Sequence, residues 1–255
     1  MKKRKYILAT IMAMAVLECI AQSVSGKIAG HDYVDLGLPS GVMWATCNLG
    51  ADEPTDYGDE FAWGETKRKD YYLFTYEDYK WADKDAKSSL SKIYDFFGFF
   101  EETSSRKEYK FTKYTEEDKK RTLEREDDAA TVQWGNPWRM PDKNELMELY
   151  NSCQWEFVYL NTNPVTIGFM GTSKHNGEKI FLPQGRGIDS ARDTSMDIDW
   201  INFVGCYWSA NRSEKNEANA SCIALVENER KVECGGIGER KRFVGIHVRA
   251  VSSKK

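Results

Sequence analysis

Two groups of acidic side chains are candidates for binding a hard cation such as calcium. Glu126, Asp127 and Asp128 are consecutive, and three further Asp lie within 193–199. Carboxylate oxygens are the ligands that calcium prefers in proteins, so Asp127 and Asp128 are the predicted metal ligands. The spacing is not that of an EF-hand loop, and such runs also occur as solvated acids or helix caps. Both interpretations of the first group stay open at this stage.

Cysteines are the candidate nucleophiles and disulfide partners. Neither Cys206 nor Cys222 has a His near it in sequence, and each lies in or beside an apolar run, so we expect no catalytic activity. The chain has no Cys-x-x-Cys pair and its three His are scattered, which gives a zinc site no support. Cys222 and Cys234 flank a predicted hairpin and are candidates for a disulfide. The six cysteines are Cys19, Cys47, Cys153, Cys206, Cys222 and Cys234.

The elements that must position these side chains are short strands and one helix. Asp142 followed by Glu145 three residues later is a capping-box pattern, and apolar residues then recur at helical spacing. The pattern predicts a helix near 141–153 and an α+β class. Strands are predicted at 155–159, 166–170, 179–182, 206–209, 222–227, 230–234 and 243–251.

One stretch, 67–112, differs from the rest in being rich in charge and in Tyr and Phe. It is too short for a core of its own, so we interpret it as an insertion packed on a single domain that spans 31–253. Within it, 89–97 has the pattern of a short helix with one apolar side.

The N-terminus has the three parts of a secretory signal. Four basic residues precede an apolar run, and Ala21 offers a cleavage point before Gln22. The sequence therefore predicts a signal peptide over 1–21, a flexible lead over 22–30 and an exported protein that is extracellular, on the cell surface or periplasmic. Lipidation at Cys19 is the alternative, although Glu18 is a poor residue in front of a lipidated Cys.

The net charge argues against two classes of partner. The chain carries −4 overall and its first 21 residues carry +3, so the predicted mature protein carries −7. Nucleic acids and anionic lipids both select basic surfaces, so neither is an expected partner. No segment of the predicted mature chain is long and apolar enough to span a bilayer.

Several sequence blocks resemble the Fibrobacter succinogenes major paralogous domain family, a group of secreted or surface-attached bacterial proteins widespread in Bacteroidota. The blocks lie in the family's order and frame nearly all of 31–251. They are Tyr33–Ala51, Asp56–Thr66, Glu126–Ala130, Trp134–Pro141, Ile180–Pro183, Gly205–Ser209 and Val248–Val251. The resemblance implies a C-type-lectin-like fold with short antiparallel strands, similar also to sulfatase-modifying factors.

The implied fold holds irregular loops on a rigid sheet, and recognition usually takes place on such loops. By position, 184–203 and 210–216 would form a surface that binds a glycan or a protein. Arg and Trp recur at interaction hot spots, although the charges here also serve solubility and a Trp can simply anchor a loop. The predicted ligand-binding residues are Arg186, Asp189, Arg192, Trp200, Asn211 and Arg212.

We therefore expect a non-catalytic recognition module that uses no cofactor, with calcium as the one candidate ion. The Glu-Pro-Asn and Trp-Asn-Asp tripeptides of sugar-binding C-type lectins are missing from the chain. A structural or adhesive envelope component without a small ligand is the alternative. An enzyme of the sulfatase-modifying type is less favoured, because no matching cysteine motif is present.

Overall fold

The fold is β-rich with two short α-helices among the described residues, which agrees with the predicted α+β class. The structure is a computed structural model. It describes residues 22–84, 109–160, 162, 165–184, 204–228 and 231–253. The segment 89–97, with its predicted helix, lies outside them.

Helix α1 covers Ala129–Trp134 and helix α2 covers Lys143–Ser152. The predicted capping box of α2 is present, because the Asp142 carboxylate accepts from the Glu145 amide while the Glu145 side chain accepts from the Asp142 amide. Helix α1 was not predicted from sequence. Its N-cap is Asp128, whose carboxylate accepts from the Thr131 amide 2.8 Å away.

The described residues form three sheets. The first has the order β1 (Gly26–Ile28), β2 (His31–Val34), β3 (Val42–Ala45), β13 (Val251–Ser253), β5 (Trp138–Arg139). The second has the order β11 (Lys231–Lys241), β10 (Asn219–Asn228), β9 (Val204–Arg212), β12 (Ile246–His247), β4 (Glu60–Phe61). The third has the order β6 (Cys153–Leu160), β7 (Thr166–Ser173), β8 (Lys179–Pro183). Within the described ranges, every strand pairing is antiparallel except the short contact between β12 and β9.

The core is rich in aromatic side chains. Trp63, Trp138 and Trp208 are buried in the largest apolar cluster. The described parts of the 67–112 stretch contribute to the same cluster, since Phe74 and Tyr79 are at most 1% exposed. Large buried aromatic areas dominate the stabilisation of such a core.

A buried guanidinium ties this stretch to the body of the domain. Arg242 donates to the Tyr79 hydroxyl and to the main-chain carbonyls of Lys113, Tyr114 and Glu217 at 2.9–3.2 Å. These four hydrogen bonds compensate for the loss of hydration that makes a buried guanidinium charge unfavourable.

Two predictions about the chain path are wrong. Residues 22–30 are not a flexible lead, because β1 pairs with β2 and the Ser23 amide donates to the Lys179 carbonyl. The predicted strand 243–251 is two short strands, because the chain leaves the second sheet at β12 and enters the first at β13.

The predicted hairpin between β10 and β11 is present, but the register does not place its two cysteines opposite each other. The register places Cys222 opposite Gly238 and Cys234 opposite Leu225. The offset removes the cross-strand geometry that a disulfide needs.

Among the residues with described positions, no helix has the length and apolar character needed to cross a bilayer.

Candidate functional site

A cavity of about 590 Å³ opens beside the short pairing of β4 and β12. Its size suits a small polar ligand or one or two sugar rings. Polar and charged side chains predominate in its wall. The lining residues are Gly50, Tyr57, Gly58, Asp59, Glu60, Arg68, Lys69, Asp70, Phe74 and His247.

The loop before β4 forms one wall and is held by its own backbone. The Asn48 amide group donates to the Tyr57 carbonyl at 2.8 Å, and the Asp59 amide donates to the Leu49 carbonyl at 2.8 Å. Gly58 has a φ of +73°, and a Cβ there would lie 2.4 Å from the Leu49 carbonyl oxygen. Only glycine fits that position without displacing the backbone, so the loop geometry depends on it.

A second buried guanidinium supports the loop from below. Arg249 donates to the Asn48 side chain at 2.8 Å and to the carbonyls of Ala45 and Thr46. Asn48 thus links the interior to the wall of the cavity, because its Oδ1 accepts from Arg249 while its Nδ2 donates to the Tyr57 carbonyl in the loop. The loop that carries Asp59 is therefore rigidly mounted.

His247 lies at the back of the cavity and is only 3% exposed. Its Nδ1 is 3.2 Å from the carbonyl oxygen of Asp59. Since a carbonyl only accepts, Nδ1 carries the proton and Nε2 carries a lone pair. Burial lowers the pKa of His247 to about 4, so the ring is neutral at neutral pH.

Three carboxylates and two cations are among the side chains that line this cavity. Asp59, Glu60 and Asp70 all line it. The Lys69 ammonium is neutralised by Glu65, which lies within 2.6–2.7 Å. Arg68 is 75% exposed and its contact with Asp59 is loose, at 3.6 Å. The wall is therefore acidic on balance, with the ring of Tyr57 exposed at its edge.

Most of the predicted ligand surface lies outside the described residues. Arg186, Asp189, Arg192 and Trp200 all fall in 185–203, which the structure does not describe.

The other two predicted ligand-binding residues have structural contacts. The side chain of Arg212 is buried and donates to Glu116 at 2.6 Å. Asn211 is half-buried; its side chain accepts from the Lys143 amide at the start of α2 and donates to the Thr122 hydroxyl. Asn211 therefore positions secondary structure.

The predicted calcium ligand Asp127 is buried among cations from the protein itself. Its carboxylate accepts from Lys80, Lys113 and Tyr114 at 2.5–2.7 Å. Burial alone would raise the pKa of Asp127, but these three hydrogen bonds hold it below its usual value. Glu124 is the nearest further acid, and it also binds Lys113, at 2.6 Å. The Lys113 ammonium thus occupies the place that a calcium ion would need.

Asp128, the second predicted calcium ligand, is the N-cap of α1. One oxygen accepts from Thr131 and the other accepts from the Met140 amide at 2.9 Å. Burial raises the pKa of the Asp128 carboxyl. Asp128 is therefore a helix cap, which is one of the two interpretations that the sequence left open.

The cavity residues were not among the predicted site residues. Asp59 and Glu60 do lie in one of the blocks that carry the family resemblance, and Arg249 lies in the last one. A polar block rich in Gly and Asp before a short strand was the available signal. No sequence rule connects it to His247, which follows Asp59 by 188 residues.

No family model, curated protein or solved structure matches this chain.

Proposed function

We propose that this protein is an exported recognition module with a C-type-lectin-like fold, and that the cavity beside β4 and β12 binds its ligand. A glycan suits the site best. Sugar recognition combines an aromatic face for the ring with carboxylates that accept from hydroxyl groups. Tyr57 supplies the first at 39% exposure, and Asp59 with Asp70 supplies the second.

The observation that carries the proposal is the rigid mounting of an acidic cavity wall. A preformed site loses little conformational entropy on binding, which favours affinity for small polar ligands. Two hydrogen bonds of the buried Asn48 side chain, one to the loop and one from Arg249, provide that rigidity. Membership of the resembling family and export are parts of the same proposal, and they rest on the sequence blocks and the signal pattern.

We propose a binding role and not a catalytic one. The lining residues include no cysteine, so the described part of the cavity offers no thiol for chemistry of the sulfatase-modifying type.

A glycan array and a host-protein array, each probed with the purified protein in calcium and in chelator, test the proposal. Tyr57→Ala removes the exposed ring and should abolish the glycan signal. Tyr159→Ala is the matched control, because that ring is 62% exposed on β6 and does not line the cavity. Equal signal should appear with calcium and chelator, since Lys113 fills the acidic cluster. Silence on both arrays, or a glycan signal that Tyr57→Ala leaves intact, would refute the proposal.

The structural or adhesive alternative also has an observation in its favour. Strand β6 ends its sheet, and its outer edge pairs with no other strand of the described chain. Tyr159 and Val165 are 62% and 57% exposed near the tip of the β6–β7 hairpin. Open edges with exposed apolar residues promote association between chains. If Tyr159→Ala, and not Tyr57→Ala, weakens surface attachment or self-association, the adhesive role is the better account.

A further inference from the structure

We propose that the cavity is one part of a longer binding site, and that Tyr72 forms a second platform on which the glycan continues beyond the cavity rim. This inference rests on the proposed function, since it names the kind of glycan that the same site takes. The substrate class is a chain of about three or more sugar rings, because the cavity itself accommodates only one or two.

The ring of Tyr72 is exposed and its position is fixed beside the cavity. Tyr72 belongs to the one-turn 3₁₀ helix Tyr71–Leu73 and is 57% exposed. Its hydroxyl donates to Asp70 Oδ2 at 2.9 Å, and Asp70 lines the cavity. The ring therefore lies within one side-chain length of the lining, although Tyr72 is not itself a lining residue.

Two exposed aromatic rings thus meet at one cavity from separate segments of the chain. Tyr57 precedes β4 and is 39% exposed in the lining, whereas Tyr72 lies at the rim. Among the residues whose burial the structure describes, Tyr159 on β6 is the one other large aromatic residue that is exposed. Aromatic faces stack on the apolar faces of sugar rings, so two such platforms at one cavity favour a chain over a single sugar.

The polar groups of the lining suit the hydroxyl groups of such a chain. The Asp59 carboxylate accepts no hydrogen bond from the described residues, because Arg68 Nε is 3.6 Å away and too distant to donate. A sugar hydroxyl both donates and accepts, so it can contact this carboxylate and the Arg68 guanidinium together. Asp70 uses one oxygen for Tyr72, which leaves its second oxygen to accept from another hydroxyl.

The backbone holds Asp59 ready for this contact. Its amide donates to the Leu49 carbonyl at 2.8 Å, and its own carbonyl lies 3.2 Å from His247 Nδ1. Gly50 has a φ of +76°, and a Cβ there would lie 2.4 Å from Asp59 Oδ2. Glycine therefore leaves the room that the carboxylate occupies at the wall. Because the contacting groups are preformed, little entropy is lost in ordering the site.

Titration calorimetry with uncharged oligomers of increasing length tests this inference. The probes are the dimer, trimer and tetramer of β-1,4-linked glucose and of β-1,4-linked N-acetylglucosamine, whose extended chains present apolar ring faces. Since neither series is charged, affinity reports stacking and hydroxyl contacts. We expect the trimer of at least one series to bind about fivefold to tenfold more tightly than its dimer, which is the gain from one further stacked ring.

Matched variants locate the platform that binds the further ring. Tyr72→Ala should remove the gain of the trimer and leave the affinity for the dimer unchanged. Tyr72→Phe keeps the ring and loses the hydrogen bond to Asp70, so it should retain the gain. Tyr159→Ala is the control, since that ring is 62% exposed away from the cavity lining and its loss should change neither affinity.

A measurement on the wild-type protein needs no variant. The ¹H–¹³C resonances of the Tyr72 ring should shift when the trimer binds and stay in place with the dimer. Shifts that are the same with both oligomers, or no shift with either while both bind, would overturn the second platform.

The outcomes distinguish this inference from the proposed function. A dimer that binds as tightly as the trimer supports the glycan proposal and overturns the longer site. A gain that Tyr72→Ala leaves intact, or that Tyr72→Phe also removes, overturns the role of the Tyr72 ring. Failure of both series to bind overturns this inference, whereas the glycan array decides the proposed function separately.

Discussion

Acidification is expected to destabilise this protein through His247, which is buried as a neutral ring. Its pKa is about 4 in the folded protein, against about 6.5 for an exposed histidine. Between these two values the unfolded chain binds a proton that the folded protein does not. Stability from this residue is therefore fully present above about pH 6.5 and is lost as the pH falls toward 4. The loss amounts to about 2 kcal/mol at about pH 5 and about 3 kcal/mol at about pH 4.

Urea denaturation at a series of pH values measures this loss, with His247→Asn as the comparison. The asparagine amide keeps a donor near the Asp59 carbonyl but does not titrate. Carboxylates such as Glu124, whose pKa is lowered to about 2 by hydrogen bonds from Lys113 and Lys120, titrate in both proteins and cancel in the difference. The wild type should lose about 3 kcal/mol more than the variant between about pH 7 and about pH 4. A difference that does not change with pH would refute the assignment of a neutral, buried imidazole.

Three other predictions follow from buried polar groups and from backbone conformation. Asp128→Ala should lower the free energy of unfolding by about 1–3 kcal/mol, because the α1 cap and the acceptor for the Met140 amide are both lost. Asp128→Asn should lose less of the free energy of unfolding than Asp128→Ala in the same urea titration, because its side-chain oxygen can still accept. Arg242→Met should cost about 3 kcal/mol or more in thermal or urea unfolding, since it leaves buried carbonyls without donors; a loss below about 1 kcal/mol would contradict its role in tying the 67–112 stretch to the core. Gly58→Ala should lower the melting temperature and weaken glycan binding together, because its Cβ meets the Leu49 carbonyl; unchanged binding would show that the loop does not depend on the glycine.

Local patterns in the sequence predicted much of the secondary structure. The capping box at Asp142 and Glu145 needs only residues three apart, so helix α2 could be predicted without tertiary information. The strands β6 to β10 were found for the same reason, since alternation and turn residues are local signals. Helix α1 was missed because it is six residues long and its periodicity is too short to detect.

The errors arise where long-range pairing decides the outcome. Strand β1 has a weak sequence signal and forms because β2 and Lys179 supply its hydrogen bonds. The acidic run at Asp127 looked like a cation site because its partners, Lys80 and Lys113, are 47 and 14 residues away. Charge patterns in sequence do not show which lysines fold back onto them.

The cavity could not be predicted from the sequence for the same reason. Its back wall forms where the register pairs His247 with Glu60, and that pairing joins the two ends of the domain. The sequence contains Glu60 and His247, but no local sequence signal shows that they lie side by side in the fold. Their chemistry became interpretable only once the sheet had placed them 3.8 Å apart.

The most direct test of the account is a two-dimensional ¹⁵N NMR titration of the purified protein with the strongest glycan from the array. The perturbed amides should cluster at residues that line the cavity, namely Gly50, Tyr57, Gly58, Asp59 and Glu60. Perturbations confined to 184–203, or to the exposed edge of β6, would contradict the placement of the ligand site.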